Sequence, residues 1–547
     1  MQSLRPLTLT LVLLFAIHFS LLGAETRTFQ LTSRYLNIPI SQKQPRHKLT
    51  FTTDMGETLT IDVRLAQGKA DYWVWRDLSA LKGKTLTLTY DQDSVGGFQQ
   101  IYLDDHKKEE ATFYQEANRP LFHFTTQRGW HNDPNGLLYY QGEYHLFYQY
   151  NPYERAWGNM HWGHAVSTDL VHWRELPLVM EPDHLGMIYS GSAVVDYDNT
   201  SGFGSKDHPA IVAIYTANSP EREVQCLAYS LDRGRTFTKY AGNPILDSTP
   251  RWNSHSLRDP KVFWYAPRHC WVMVLYEKDG TSIYNSPNLK QWTYQSHIVG
   301  FYECPDLIPL PLDGNARHTK WVLMGASETY MVGQFDGKKF TPETTKLLYT
   351  SGQTYAAQTI GNLQERVVQI GWGKITHPHM PFRSQMNLPT ELRLITTPDG
   401  PRLTSMPVAE AETLLTPLAQ WSNLTGSQAN QQLKAYTHEP ALHLKGILQP
   451  ESIGKSVSLL LDGQPIITYD WNRNLLGGQH YSPQHLDSLQ LPFELYIDKT
   501  SVEAYIDGGR RSYTLQRTPV ETSGIQFEGG AMQVRGLQVS RIQTIWP

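Results

Sequence analysis

Apolar and polar positions alternate in short runs along almost the whole chain, with turn residues between the runs. Near the start, Leu49-Thr50-Phe51-Thr52, Leu59-Thr60-Ile61-Asp62-Val63-Arg64 and Leu86-Thr87-Leu88-Thr89-Tyr90 have the period of two and the Thr/Val content of half-buried strands. They predict an antiparallel β-rich domain over residues 25–115. The charged stretch Asp104-Asp105-His106-Lys107-Lys108-Glu109-Glu110 reads as its solvated boundary and linker. Ahead of it, Arg5 flanks a mostly apolar run from Leu7 to Leu22 that ends at the small residues Gly23-Ala24, the pattern of a secretion signal over residues 1–24. The run is short for a membrane span, and no Cys near the cleavage point could carry a lipid. A periplasmic or secreted protein without a membrane anchor is expected.

A faint repeat runs through residues 119–400. Ser167-Thr168-Asp169-Leu170-Val171-His172-Trp173 is echoed from Ser230-Leu231-Asp232 to Phe237 and by Ser286-Pro287-Asn288-Leu289-Lys290-Gln291-Trp292. A further echo is Phe335-Asp336-Gly337-Lys338-Lys339-Phe340. Each has a strand, a polar turn and an aromatic on the returning strand. Their spacing of roughly 50 to 60 residues suits the blade of a β-propeller and divides the region into about five blades. With no convincing amphipathic helix in the region, parallel α/β folds are disfavoured. From 405 to 547 a helix is predicted over Val408 to Leu415. Alternating runs follow, such as Ser456-Val457-Ser458-Leu459-Leu460-Leu461 and Ser501-Val502-Glu503-Ala504-Tyr505-Ile506, and predict a β-sandwich. The expected fold class is therefore all-β: an N-terminal β-rich domain, a five-bladed propeller and a C-terminal sandwich.

The length of 547 residues allows two to four domains. With 48 basic and 52 acidic residues the net charge is -4, which argues against nucleic acid or an anionic membrane as partner. Three cysteines, Cys226, Cys270 and Cys304, are too few for a disulfide framework. The 12% aromatic content is compatible with a carbohydrate site, although core packing uses most of it.

Three acidic motifs stand out in the propeller region. Asp133 lies in Gly129-Trp130-His131-Asn132-Asp133-Pro134-Asn135-Gly136, where Pro134 and Gly136 suit a rigid turn ahead of an apolar strand. A plain surface hairpin is the alternative reading. The others are Arg258-Asp259-Pro260-Lys261 and Tyr302-Glu303-Cys304-Pro305-Asp306. All three set an acid one or two residues from a Pro at the start of an apolar strand. If those strands are innermost in their blades, three carboxylates converge on one funnel.

With Phe147-Tyr148-Gln149-Tyr150-Asn151-Pro152, Trp157-Gly158-Asn159-Met160-His161-Trp162-Gly163-His164, Ser190-Gly191-Ser192-Ala193 and Gly371-Trp372, these motifs are similar to those of glycoside hydrolase family 32, the fructan hydrolases and invertases. The likeness covers residues 119–400 and departs at His131, where many members have Met. The family's five-bladed propeller and sandwich agree with the fold read from the repeat. The resemblance implies Asp133 as the nucleophile on the anomeric carbon of a β-fructofuranosyl unit. It implies Glu303 as general acid and then base, and Asp259 as stabiliser of the transition state through the sugar's 3- and 4-hydroxyls. It places Asn132, Gln149, Trp157, Tyr189, Ser190 and Arg258 at substrate-binding positions, with Tyr355 and Trp372 as further candidates; for the aromatics, core packing is the alternative. Glu303, beside Tyr302 and Cys304-Pro305, is expected in an apolar setting that favours its protonated form, and Arg258 is expected to keep Asp259 ionised.

No cofactor is expected. His145, His161, His164 and His172 sit in strand-like surroundings without ligand spacing, so no metal is expected either. The expected substrate is a fructan or fructo-oligosaccharide. Tyr35-Leu36-Asn37-Ile38-Pro39-Ile40 loosely resembles modules preceding fructan-active enzymes of gut Bacteroidetes, which favours levan over inulin and sucrose. An invertase, a fructan-binding protein without activity and an inverting furanosidase are the alternatives. Exo or endo action and oligomeric state stay open.

Overall fold

A computed structural model describes residues 23–92, 96–454, 456–484 and 486–547 of the chain. Of the predicted leader, residues 1–22 lie outside the described residues. The chain divides into two compact units, Met1–Asp105 and His106–Pro547.

In the first unit, one sheet orders its strands as Glu25–Gln30, Thr85–Tyr90, His47–Thr53 and Thr58–Val63. A second orders Tyr72–Asp77, Tyr35–Ile40 and Tyr102–Asp104. The alternation seen in the sequence carries Leu49, Phe51, Ile61, Leu86 and Leu88 into the core.

The second unit begins with five antiparallel blades of a propeller, whose main strands follow one another in chain order from the inside outwards; the first three are separate sheets, and the last two are joined into one ten-stranded sheet by a parallel bridge between Leu312 and Leu394. Their innermost strands are Gly129–Tyr140, Met187–Asp196, Leu257–Tyr265, Asp306–Leu312 and Thr354–Thr359. Each gap between blades is filled by its own apolar cluster. The strand Ala210–Asn218 shows how: Ile211, Ala213 and Tyr215 pack towards blade 1, and Val212 and Ile214 towards blade 3. A strand buried on both faces has no polar alternate, which accounts for its unbroken apolar run. The ring closes where Phe382–Arg383 pairs with Gly129-Trp130 of blade 1.

The repeat marks the turns from the third to the fourth strand of a blade. Asp169 Oδ1 accepts the backbone N–H groups of Val171 and His172, and Asp232 Oδ1 those of Arg235 and Thr236. Asn288 Oδ1 and Asp336 Oδ1 do the same for the two turns that follow. The aromatic that ends two of the echoes locks its turn, Trp173 Nε1 donating to Leu170 O and Trp292 Nε1 to Leu289 O. These are side-chain-capped turns, and local sequence suffices to encode them.

Residues from Leu415 onward form two sheets, of seven and five strands, packed over one apolar core. The helix expected over Val408 to Leu415 is a short 3₁₀ segment, Ala409–Leu414. One edge strand of the larger sheet comes from the propeller region: Thr350–Gly352 pairs in parallel with Arg511–Gln516. His123, at the entrance to the propeller, is clamped between Asp498 and Glu503 of the sandwich at 2.8 Å on each ring nitrogen.

Candidate active site

The first acid does not lie in a hairpin turn. Gly129–Tyr140 is one continuous strand, and its pairing with Glu143–Asn151 breaks register between His131 and Pro134 and again between Asn135 and Leu138. Asp133 sits in the first break. Gly136 takes φ +54 in the second, where a Cβ would stand 2.8 Å from Phe147 Cδ2. Bulged register is common to these innermost strands. It falls between Ile188 and Gly191, between Arg258 and Lys261, and between Tyr355 and Gln358. A bulge re-aims side chains that regular alternation would send to the blade interfaces. In blade 4 the equivalent residues, Glu303 and Cys304, precede the strand with φ of 51° and 39°. Asp259 has φ of 65°. Such left-handed backbone costs on the order of 1–3 kcal/mol per residue outside glycine, and persists where surrounding structure imposes it.

The acids meet at a cavity of about 380 Å³. It is lined by Asn132, Asp133, Gln149, Trp157, Tyr189, Glu223, Arg258, Asp259, Glu303, Tyr355 and Trp372. Ten of these are the residues singled out in the sequence. Ser190 is the exception: it is buried behind Asp133, and its Oγ donates to Asp133 Oδ2 at 2.6 Å. Glu223 was missed, because its only local signal is a charge at the head of an apolar strand.

Asp133 and Asp259 are buried, whereas Trp157 at the mouth is 47% exposed. Besides Ser190, Asp133 accepts from Gln149 Nε2 at 3.2 Å and Asn132 Nδ2 at 3.1 Å. The Cys304 thiol stands between the two aspartates, 3.6 Å from Asp133 Oδ2 and 3.5 Å from Asp259 Oδ2, and the Cys304 backbone N–H donates to Asp259 at 3.1 Å. Glu303 Oε1 accepts from Arg258 Nε at 3.0 Å and Nη2 at 2.8 Å, and Oε2 from Tyr355 Oη at 2.8 Å.

This geometry corrects two electrostatic expectations. Glu303 is not in an apolar setting, since an arginine and a phenol hold its two oxygens. Arg258 turns its guanidinium away from its neighbour Asp259 towards Glu303 and Glu223. Asp259 leaves the extended backbone inside the register break between Arg258 and Lys261, so both side chains reach the cavity while the guanidinium bonds elsewhere. Burial raises Asp259 well above the usual carboxylate range, the charges of Asp133 and Glu303 add to this, and Arg258 offsets only part. Burial also raises Asp133, opposed by the hydrogen bonds from Ser190 and Asn132.

His131 faces the core rather than the cavity, against Phe124 and Tyr148. Burial pulls its pKa down to about 3, so the ring is neutral. His145 and His164 stack at 5.3 Å with a 3.1 Å contact between ring nitrogens. Among the described residues no group of three or more His, Cys, Asp or Glu is arranged to hold a metal ion.

The sequence model of the glycosyl hydrolases family 32 N-terminal domain matches residues 123–407. A model of a domain of unknown function matches residues 26–116. A levanase of Bacillus subtilis is 37% identical over 491 residues, spanning 80% of this chain and 72% of that protein. An extracellular exo-inulinase of Aspergillus ficuum is 32% identical over 517 residues, spanning 79% and 96% respectively. The crystal structure of an exo-inulinase from Aspergillus awamori superposes with a TM-score of 0.69 at 28% identity, covering 79% of this chain and 100% of that one. With its family motifs lining one cavity at the centre of five blades, the chain belongs to glycosyl hydrolase family 32.

Proposed function

We propose that the protein is a retaining β-fructosidase that removes terminal fructose from fructans, levan in preference to inulin or sucrose. The observation that carries this reading is the convergence of Asp133, Asp259 and Glu303, from three different blades, on one cavity with a buried floor and an exposed aromatic mouth. In this reading Asp133 attacks the anomeric carbon from a position set by Ser190, Gln149 and Asn132. Glu303 donates a proton to the departing oxygen. Water then hydrolyses the fructosyl-enzyme, with Glu303 taking the proton back. Asp259 receives the 3- and 4-hydroxyls of the ring as positive charge develops. A pocket of this size suits a chain end better than the middle of a polymer, which favours exo action. The likeness to a levanase and to exo-inulinases supports a fructan substrate. We take residues 119–400 as the catalytic domain, 25–115 as an accessory domain and 405–547 as a supporting sandwich. The apolar leader suggests a periplasmic or secreted enzyme.

Product analysis on levan, inulin and sucrose tests the proposal, with Asp133→Ala as control. Fructose is expected as the sole early product, released fastest from levan. A ladder of oligomers from levan would overturn exo action, and no release from any of the three would overturn the function.

Ser190→Ala tests how Asp133 is held. Losing a hydrogen bond to a charged group costs about 1.5–3 kcal/mol, so kcat/KM should fall by roughly 10- to 100-fold. Because that bond lowers the Asp133 pKa, its loss raises it further. The nucleophile must be ionised, so the acidic limb of the pH profile should move to higher pH. An unmoved limb would mean that Asp133 does not set it.

A further inference from the structure

Glu223 heads the third strand of blade 2, Glu223–Ser230, and is nearly buried, with its side chain 7% exposed. Its carboxylate reaches into blade 3. Oε2 accepts from the backbone N–H of Leu257 at 2.8 Å, and Arg258 Nη1 donates to Oε2 at 3.0 Å and to Oε1 at 3.3 Å. Within its own blade, Asn218 Nδ2 donates to Oε1 at 3.2 Å. The other edge of the same guanidinium, Nε and Nη2, grips Glu303 Oε1. One cation is thus divided between two carboxylates, one of them the proposed acid and the other without a part in the chemistry described so far.

We propose that Glu223 is a positioning residue that anchors Arg258 and takes up part of its charge, leaving Glu303 able to carry a proton when the leaving oxygen needs one. This rests on the reading of Glu303 as general acid. An arginine devoted wholly to a carboxylate at contact distance favours the ionised form by about 1–3 pH units. That would serve an acceptor and hinder a proton donor. A second carboxylate on the same guanidinium offsets part of the bias, and its bond to Leu257 N–H fixes where the guanidinium lies.

Asp133 and Asp259 also bear on Glu303 through their charges, but neither is hydrogen-bonded to Arg258 and neither fixes where its guanidinium lies. Tyr355 donates to Oε2 and has Lys374 Nζ 4.9 Å from its ring centroid. Tyr302 Oη accepts from Arg258 Nη2 at 3.2 Å, and the guanidinium also lies over Tyr276. Asp133, Asp259 and Cys304 form their own cluster. Among the described residues, Glu223 and Glu303 are the two carboxylates hydrogen-bonded to Arg258.

The test is kcat/KM on levan against pH for the wild type, Glu223→Gln and Glu223→Asp, with thermal melts of each. Glutamine keeps the shape and an acceptor for Leu257 but removes the charge. The basic limb of Glu223→Gln should move to lower pH by about one unit, with the acidic limb in place. Glu223→Asp keeps the charge, drawn back by one methylene, and should move the limb the same way by less. A residue that only held two blades together would lower activity evenly at all pH. That result, with the basic limb unmoved, overturns the proposal even if the melting temperature falls. Should the glutamine variant not fold, an unmoved limb in Glu223→Asp overturns it equally. The wild-type profile separates the two levels: no activity on levan would count against the underlying function, and activity with unmoved limbs against this role.

Discussion

Replacing Asp133 by asparagine should lower kcat on levan by about 10⁴-fold or more while KM changes little. The reason is chemical rather than steric. Asparagine fills the same volume but cannot form the glycosyl ester that a retaining enzyme requires. The side chain is buried and held by Ser190, Gln149 and Asn132, so no rotamer change brings another acid to the same point. Asp259 is separated from it by the Cys304 thiol and is held by the Cys304 backbone N–H. A variant that kept more than about one per cent of the activity would place the nucleophile elsewhere. NMR of the anomer first released by the wild type gives an independent check. Retention is expected, and an inverted first product would remove Asp133 from this role.

The second large effect concerns stability. His123→Leu should cost about 3–5 kcal/mol, because it leaves two buried carboxylates facing an apolar side chain. Asp498 also accepts from the backbone N–H groups of Leu121, Phe122 and Lys499, and Glu503 from that of Leu388 and from Tyr505 Oη. Those donors soften the loss but cannot replace a cation. The pair also has a pH signature. Burial pulls His123 down, but the hydrogen bonds and charges of Asp498 and Glu503 outweigh it and raise the ring from 6.5 to about 9. A raised folded pKa means stability that is complete below about 6.5 and is lost as pH climbs through about 9. Burial raises Asp498, but its bonds to His123 and the backbone outweigh this and lower it below 3.8. Its contribution is present above that value and disappears in acid. The melting temperature should therefore fall on both sides of a mildly acidic to neutral plateau. In His123→Leu the alkaline decline should vanish. An equal alkaline decline in wild type and variant would show that another group is responsible.

What the sequence made legible follows from how local each feature is. The turn echoes at Asp169, Asp232, Asn288 and Asp336 are encoded within a few residues by side chains that bond their own backbone, so the repeat could be found without tertiary knowledge. The candidate site was readable because its acids sit in distinctive Pro-flanked motifs. What was hidden depends on contacts made across the fold. The bulges that aim Asp133, Tyr189-Ser190 and Asp259 arise from pairing with neighbouring strands, and the octet looked like a turn because bulges and turns use the same residues. The direction of Arg258 is set by Glu223, which lies 35 positions away and carries no motif. Ser190, expected at a substrate-binding position, bonds Asp133 from behind instead of lining the cavity. The departure at His131 is absorbed by an apolar core that keeps the ring neutral.

The edge strand Thr350–Gly352 ties the fate of the two halves of the larger unit together. It belongs to the sandwich sheet by its hydrogen bonds, yet Tyr355, three residues further on, holds Glu303. Gln353 N–H donates to Thr514 O at 2.7 Å and Thr354 Oγ1 meets Thr514 Oγ1 at 2.7 Å, so the path from sandwich to acid is pinned at every step. In evolutionary terms, the sandwich is not freely exchangeable cargo. A crossover that joined this propeller to a relative's sandwich would inherit the proposed acid together with a foreign anchor for its phenol partner. Such chimaeras should fail first in kcat, with the cavity around Asp133 still formed, and recombination within the family should be tolerated only where the residues opposite Thr350–Gly352 travel with it.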